Sequence, residues 1–273
     1  GSGKTYRNSL SVCWTTPGCK RVLAIAHGGN WDVTNVPYLS NGAIAAAYAS
    51  GFDGVKIDVR VTSDNVPVLA HSSPIKFYES LDCVNKRIEQ MTAAQVTACH
   101  RFPSGTETFQ RFDDVLNYLR GKMVAQLTVK ESTDYARVIA AVIAAGAEDF
   151  AFFEISTNDL RTKIPTISGA QNVWYLINVA SNVTEVDELL NTINNPRAFM
   201  YEFDPGISLS PTIGPKLTTA GIKAFVYDSN VAASVAGLQG YYNQGFDVVS
   251  SQAGNNGVTA RQQVNTTRGI NPP

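Results

Sequence analysis

The sequence "KIDVRVTSDNVPVLAH", residues 56–71, alternates strictly between charged and aliphatic side chains at its start. Lys56, Asp58 and Arg60 share one face of a predicted strand, and β-branched residues occupy the other. The segment "TSDN" has the composition of a turn, and it leads into a second short strand that finishes at His71. Charged side chains are rarely buried without partners, so a row of three on one strand face indicates a site rather than a packed core.

Strand-like and helix-like segments alternate along the whole chain. The strand-like runs are rich in Val, Ile, Phe and Tyr and nearly continuously apolar, as in parallel sheets covered by helices. Ser40 is a natural N-cap for the first helix, and Gly51 is a natural stop. Eight such units in 273 residues favour a closed (β/α)8 barrel, the TIM-barrel fold, over an open sheet. We therefore expect an α/β protein with one domain over residues 1–273, an extension over residues 1–20 and a long loop over the barrel mouth at residues 72–107.

The composition argues against several classes of partner. The net charge is −1 and only 16% of residues are charged, so no basic field attracts nucleic acid or an anionic membrane. No run of residues approaches the ~20 apolar residues of a membrane-spanning helix.

The cysteines and two sequons suggest an oxidising compartment. The cysteines are Cys13, Cys19, Cys83 and Cys99. The first two bracket a turn sequence, which favours a local disulfide and leaves the other two to close a second loop, although four cysteines allow three pairings. Asn-x-Thr sequons occur at Asn182 and Asn265. Together these features lead us to expect a secreted protein, and we expect it to be a monomer.

The carboxyl ends of the predicted strands carry polar side chains that would meet at one mouth of the barrel. They are His27, Asp58, Arg60, His71, Lys130, Glu154, Asn178, Glu202, Asp204 and Asp228. Only three histidines occur in the chain, and two of them belong to this set. One histidine at a strand end is more often structural, but two beside an Asp, an Arg and a Lys favour proton transfer on an anionic substrate such as a phosphodiester.

Three stretches resemble a known family of enzymes. "AHGGN", "VPYLSNGAIAAAYASGFDGVKIDVRVTSDNVPVLAH" and "YYNQGFDVVSS" are similar to the glycerophosphodiester phosphodiesterases and the wider phospholipase C-like phosphodiesterase barrels, the superfamily that includes sphingomyelinase D toxins. The resemblance implies a barrel of that type in which His27 and His71 are catalytic, one attacking or deprotonating and the other protonating the leaving oxygen. Asp58 matches a carboxylate of the family's metal site, Lys130 matches the lysine that ends strand three, and Arg60 falls where the family tolerates arginine.

The chain departs from the family at the metal ligands. Residues 37–40 read Pro-Tyr-Leu-Ser where the family has Pro-Glu-Asn-Thr, Lys56 and Thr128 stand in place of two glutamates, and Ser72 replaces an aspartate. A hard divalent cation needs several oxygen ligands, so a lone Asp58 would hold one poorly. We therefore expect no metal cofactor, with the Lys56 ammonium near the electrostatic position of the missing ion.

A second possibility keeps the metal. Glu154, Glu202 or Asp204 could rebuild a Mg²⁺ or Ca²⁺ site together with Asp58.

The predicted function is that of a phosphodiesterase or phospholipase acting on a small-molecule or lipid phosphodiester, with peripheral membrane contact as an option. The predicted catalytic residues are His27, His71, Lys56, Asp58, Arg60 and Lys130. The predicted substrate-binding residues are Tyr38, Glu154, Asn178, Glu202, Asp204 and Asp228. Attack by a substrate hydroxyl would give a cyclic phosphate, and attack by water a monoester.

Two alternatives stay open. Aromatic residues near the strands, including Tyr38 and Trp174, would suit a glycan-active or other non-phosphate acid–base enzyme, a lyase or an isomerase. Loss of the metal ligands would also suit a pseudoenzyme, a binding module or a toxin-like module.

Overall fold

Eight parallel strands close on themselves into a barrel in the computed structural model, which describes residues 3–33 and 35–272. The strands are β1 Leu23–His27, β2 Gly54–Val61, β3 Pro67–Leu69, β4 Val124–Val129, β5 Ala151–Ser156, β6 Trp174–Ala180, β7 Ala198–Phe203, β8 Lys223–Asp228 and β9 Val248–Ser251. Their order is β1-β9-β8-β7-β6-β5-β4-β2-β3, and pairing of β1 with β2 closes the ring. The predicted TIM-barrel fold is confirmed.

Helices surround the barrel. They are α1 Asn41–Ser50, α2 Ala93–Thr97, α3 Phe112–Leu119, α4 Tyr135–Ala144, α5 Thr157–Thr162, α6 Glu185–Asp187 with a π-helical continuation over Glu188–Ile193, α7 Ile213–Ala220, α8 Val235–Asn243 and α9 Asn256–Thr267. As predicted, the Ser40 side chain caps α1 by accepting from the Ala43 N–H, and Gly51 ends it at φ 97°. In the described residues no helix has the length and apolar character needed to cross a membrane.

Two apolar layers fix the barrel. The outer layer fills the space between strands and helices, with Val55, Ile57 and Val59 of β2 contributing to it. The inner layer lies within the barrel and includes Phe152, with Trp14 of the N-terminal segment packed against it. Burying a side chain of this size contributes about 1.5–3 kcal/mol. This arrangement explains the alternation in the sequence of β2, because its aliphatic face joins the outer layer and its charged face points into the barrel.

Strand β3 differs from its prediction. It pairs with β2 in an antiparallel hairpin and is not a barrel strand, and His71 lies two residues beyond its end. Because the hairpin folds back along β2, the Ala70 N–H donates to the Asp58 carbonyl at 3.1 Å. Because the chain reverses direction, His71 lies level with Asp58. A strand parallel to β2 would instead have carried His71 away from Asp58.

The disulfides are Cys13–Cys19 and Cys83–Cys99, with Cα separations of 5.3 and 5.8 Å. The second closes a loop within residues 72–107 that contains α2, so this segment is more ordered than a long irregular loop.

The C-terminal helix α9, which the sequence analysis did not anticipate, buries one sequon. The Asn265 side chain is fully buried and exchanges hydrogen bonds with the Val22 N–H and carbonyl. Asn265 is thus inaccessible to glycosylation in the folded chain, whereas Asn182 is exposed.

Candidate active site

A buried ion pair lies on the inward face of β2. The Lys56 Nζ is 2.6 Å from the Asp58 Oδ1, and the two side chains are only 6% and 0% exposed. The Tyr38 hydroxyl donates to the other carboxylate oxygen at 2.9 Å. Burial alone would raise the pKa of Asp58, but the Lys56 ammonium and other nearby positive charge hold it below its ordinary value. Asp58 is therefore ionised, and both of its oxygens are engaged by protein groups.

The loop after β1 brings Tyr38 to this pair. The Gly28 N–H donates to the Lys56 carbonyl and the Gly28 carbonyl accepts from the Leu39 N–H, both at 2.8 Å. Gly28 has φ 75°, and a Cβ there would lie 1.9 Å from the Tyr38 ring. Glycine is required because any side chain would displace the tyrosine from Asp58.

His27 ends β1 beside the ion pair. Its ring stacks on Tyr227 of β8 with centroids 4.0 Å apart and planes inclined by 10°. Burial and the neighbouring Lys56 ammonium lower the pKa of His27 well below its ordinary value, with Asp58 opposing the shift. His27 is consequently neutral at pH 7 and is suited to accept a proton.

His71 is held by its backbone and by one ring nitrogen. Its N–H donates to Glu79 at 3.0 Å, and its carbonyl accepts from Arg60 at 3.0 and 3.3 Å. Its Nδ1 lies 3.0 Å from the Ser72 hydroxyl and 3.3 Å from that of Tyr78. Nε2 makes no hydrogen bond to the described residues and is the nitrogen available to a substrate. Burial lowers the pKa of His71 too, against the opposing effect of Asp58.

Arg60 and Lys130 differ in their freedom to act. Arg60 binds the His71 carbonyl and approaches Glu131 at 3.4 Å, so the structure gives it a positioning contact. The Lys130 ammonium makes no hydrogen bond or ion pair within the described residues. Burial lowers the pKa of Lys130, as do the positive charges of Lys56 and Arg60.

A carboxyl pair lies across the barrel from Lys56. Glu154 accepts from Gln126 at 3.0 Å, from Thr128 at 2.9 Å and from Asn178 at 3.4 Å. Burial and the Glu154 carboxylate raise the pKa of Glu202 well above its ordinary range, and the two carboxyl groups share a hydrogen bond. The raised pKa favours the protonated form of Glu202, which is the form able to donate to Glu154.

The remaining predicted residues take local roles. Asp228 accepts from the Tyr241 hydroxyl at 2.8 Å and from the Asn230 N–H at 2.9 Å. Asp204 is exposed, and its carboxylate accepts no hydrogen bond from the described residues.

A cavity of about 490 Å³ opens over the two histidines. Its lining comprises His27, Trp31, Asn35, Val36, Pro37, Tyr38, His71, Tyr78, Phe102, Pro103, Tyr227 and Gln252. Of the predicted site residues, the lining includes His27, His71 and Tyr38. Sequence reasoning missed Trp31 and Tyr78. The only signal for them in the sequence was their position in the loops that follow His27 and His71.

Comparison with known proteins agrees with the fold and identifies the family. The Glycerophosphoryl diester phosphodiesterase family matches residues 38–209. A glycerophosphodiester phosphodiesterase from Agrobacterium tumefaciens superposes with a TM-score of 0.72 at 18% identity, over 87% of this chain and 99% of that one. A glycerophosphoryl diester phosphodiesterase from Parabacteroides distasonis gives 0.73 at 17% identity, over 92% and 89%.

A phosphodiesterase from Oleispira antarctica, solved in complex with the product sn-glycerol-3-phosphate, gives a TM-score of 0.67 at 17% identity, over 87% of this chain and 96% of that one. Among curated proteins no match was found. The family match covers more than half of the chain and includes Tyr38, both residues of the ion pair and His71. On this basis the chain belongs to the glycerophosphoryl diester phosphodiesterase family.

Proposed function

We propose that this protein is a metal-independent phosphodiesterase in which His27 and His71 transfer protons and Lys56 supplies a fixed positive charge. The observation that carries the proposal is the 2.6 Å contact between the Lys56 Nζ and Asp58. An ammonium thus lies where the resemblance to the family implies a metal ligand, and it is close enough to lower the pKa of His27.

The donor set fits a divalent cation poorly. Both Asp58 oxygens already accept hydrogen bonds, from Lys56 and Tyr38. Glu154 accepts from its own donors, and the raised pKa of Glu202 disfavours the carboxylate form that would bind a cation. In the described part of the chain, no three His, Cys, Asp or Glu side chains come together in a metal-binding arrangement. A second cation would also meet repulsion from Lys56, so we derive no catalytic step through a metal.

The reaction follows from the protonation states. A phosphodiester bound between His27 and His71 would direct its anionic oxygens toward Lys130 and Lys56, whose charges act on both histidines, and these charges would stabilise the additional negative charge of the transition state. Neutral His27 takes the proton of the nucleophile, whose oxygen forms a bond to phosphorus. His71 gives the proton on Nε2 to the leaving oxygen as its bond to phosphorus breaks. Water as nucleophile yields a phosphate monoester and an alcohol, and a hydroxyl of the substrate yields a cyclic phosphate and an alcohol.

Most of the aromatic residues near the strands that suggested a glycan-active enzyme lie away from the cavity. Trp174 begins β6 and therefore lies at the end of the barrel opposite the mouth. Tyr175 and Tyr201 are buried in the apolar layer outside the strands. Of the aromatics considered, Tyr38 and Tyr227 reach the cavity, and Tyr38 is bonded to Asp58.

We further propose that the protein acts as a monomer outside the cytoplasm. Two disulfides support an oxidising compartment. The closed barrel supports a monomer, since one chain supplies the whole proposed site.

The histidine pair is tested by phosphorus NMR on a panel of phosphodiesters. We expect His27→Ala and His71→Ala each to lower turnover by at least about 100-fold, with little loss of stability. The third histidine provides the control, because His100 is half exposed and pairs with Asp82 on the loop surface. His100→Ala should retain wild-type turnover. Equal loss in all three variants, or loss of folding in the first two, would refute the assignment.

A further inference from the structure

Four large apolar side chains stand exposed beside the cavity. Phe77 is 66% exposed, Leu81 59%, Tyr78 44% and Phe102 41%, and the first two are the most exposed large apolar side chains in the described residues. We call these four residues the mouth patch. Contiguous apolar exposure of this kind marks a binding surface more often than a chance surface feature.

The mouth patch is held in place by the core of its loop. The Phe102 N–H donates to the Glu79 carbonyl at 2.8 Å, which brings Phe102 alongside Tyr78. The buried Glu79 carboxylate accepts from the backbone N–H groups of His71 and Ser72. The Cys83–Cys99 disulfide joins the two arms of the same loop. These contacts order the loop segment that carries the four apolar side chains.

The mouth patch continues into the catalytic cavity. Tyr78 and Phe102 both line that cavity, and the Tyr78 hydroxyl lies 3.3 Å from the His71 Nδ1. The cavity wall nearby is also apolar, with Trp31, Val36 and Pro103. An apolar surface thus leads from solvent to the place where a phosphodiester would react, while Phe77 and Leu81 lie outside the cavity lining.

The exposed charges around the mouth patch include two ion pairs and two lysines without an ion-pair partner in the described residues. Asp82 lies 2.8 Å from His100, Arg87 lies 3.5 Å from Glu89, and Lys76 and Lys86 are exposed and unpaired. Two unpaired lysines are fewer than the roughly four to eight clustered basic residues that select anionic lipids. An apolar surface with balanced charge suits lipids whose headgroups are zwitterionic.

We propose that the mouth patch docks the protein on the surface of a zwitterionic phospholipid aggregate, with Phe77 and Leu81 inserted among the acyl chains. This inference rests on the proposed function, because it names the substrate as a phospholipid presented by that surface. The two histidines that line the cavity, with the positive charges of Lys56 and Lys130 close enough to act on them, take the phosphodiester, and the apolar wall takes the chain attached to it. Phe77 and Leu81 lie outside the cavity lining, so a single lipid bound in the cavity would leave them in water, which favours an aggregate over a single dissolved lipid.

Docking is tested by flotation of the protein with phosphatidylcholine vesicles. We expect the wild type and His71→Ala to float with the vesicles, since binding does not need turnover. The double variant Phe77→Ser/Leu81→Ser should lose at least about tenfold in partitioning, because two large apolar side chains no longer leave water. The control Tyr118→Ser/Ile143→Ser removes apolar side chains of 39% and 36% exposure near the ends of α3 and α4, at the opposite end of the barrel, and should bind as the wild type does.

A soluble substrate separates this inference from the proposed function. Turnover of glycerophosphocholine should be unchanged in Phe77→Ser/Leu81→Ser, which also shows that the variant folds. Docking is overturned if the wild type stays in solution, or if the variant and the control bind equally. If the wild type binds vesicles but does not turn over the soluble substrate, the proposed function is refuted and docking is still supported.

Discussion

Replacing Lys56 by methionine removes the fixed charge while keeping a long side chain in its place. Asp58 would remain fully buried with the Tyr38 hydroxyl as its one remaining side-chain partner. Breaking one partner of a buried ion pair costs about 3–5 kcal/mol, so Lys56→Met should lower the free energy of unfolding by that amount. Turnover should fall by about 100-fold or more, the usual effect of removing one preorganised electrostatic contact from a transition state.

The assay combines urea denaturation at pH 7 with turnover of a soluble phosphodiester. Lys56→Met/Asp58→Asn should recover most of the lost stability, because the second change removes the uncompensated charge, but it should stay inactive. Lys216→Met is the matched control, since Lys216 pairs with Asp187 at 2.8 Å with side chains 42% and 59% exposed, and it should cost less than about 1 kcal/mol. The reasoning fails if Lys56→Met costs no more than this control, or if the double variant is no more stable than the single one.

Three further predictions concern neighbouring groups. The pKa values of His27 and His71 are both lowered, so protonated His71 and neutral His27 coexist only below the ordinary histidine pKa of about 6.5. The kcat/KM of the free enzyme should therefore be highest at acidic pH. An optimum above pH 8 would contradict the acid–base assignment. Tyr38→Phe removes a donor from the buried carboxylate and should cost about 1–3 kcal/mol in urea denaturation; a neutral result would show that this contact is dispensable. Because the pKa of Glu202 is raised, the folded state keeps a proton that the unfolded state releases above about pH 4.3. The free energy of unfolding should therefore fall as the pH rises above about 4.3. Glu202→Gln keeps a donor toward Glu154 and should be more stable than the wild type at pH 7 but not at pH 4, whereas equal stability at both values would argue against the protonated state.

The barrel could be predicted because its evidence is local and repeated. Each strand has its own apolar run rich in β-branched residues, and the two ends of α1 are marked in the sequence by Ser40 and Gly51. The strict alternation of β2 placed Lys56 and Asp58 on one face, and the cost of burying either alone indicated that each would need a partner, without saying which one.

Features that depend on loops and distant contacts escaped prediction. The stacking of Tyr227 on His27 depends on β8 and β1 meeting through β9, and no local pattern encodes it. Helix α9 has few apolar residues, and the core contacts of Val258, Ala260 and Val264 are joined by polar contacts, including an ion pair between Arg261 and the buried Asp53. The shared proton of the carboxyl pair likewise arises from burial in the assembled barrel.

The most direct test of the central claim is phosphorus NMR of the purified protein with a phosphodiester panel that includes glycerophosphocholine, lysophosphatidylcholine and sphingomyelin, with EDTA present throughout. We expect a new monoester or cyclic phosphate resonance at the same rate with and without the chelator, and none with His27→Ala. Loss of turnover in EDTA that Mg²⁺ or Ca²⁺ restores would contradict the assignment of the Lys56 ammonium to the role of a metal ion.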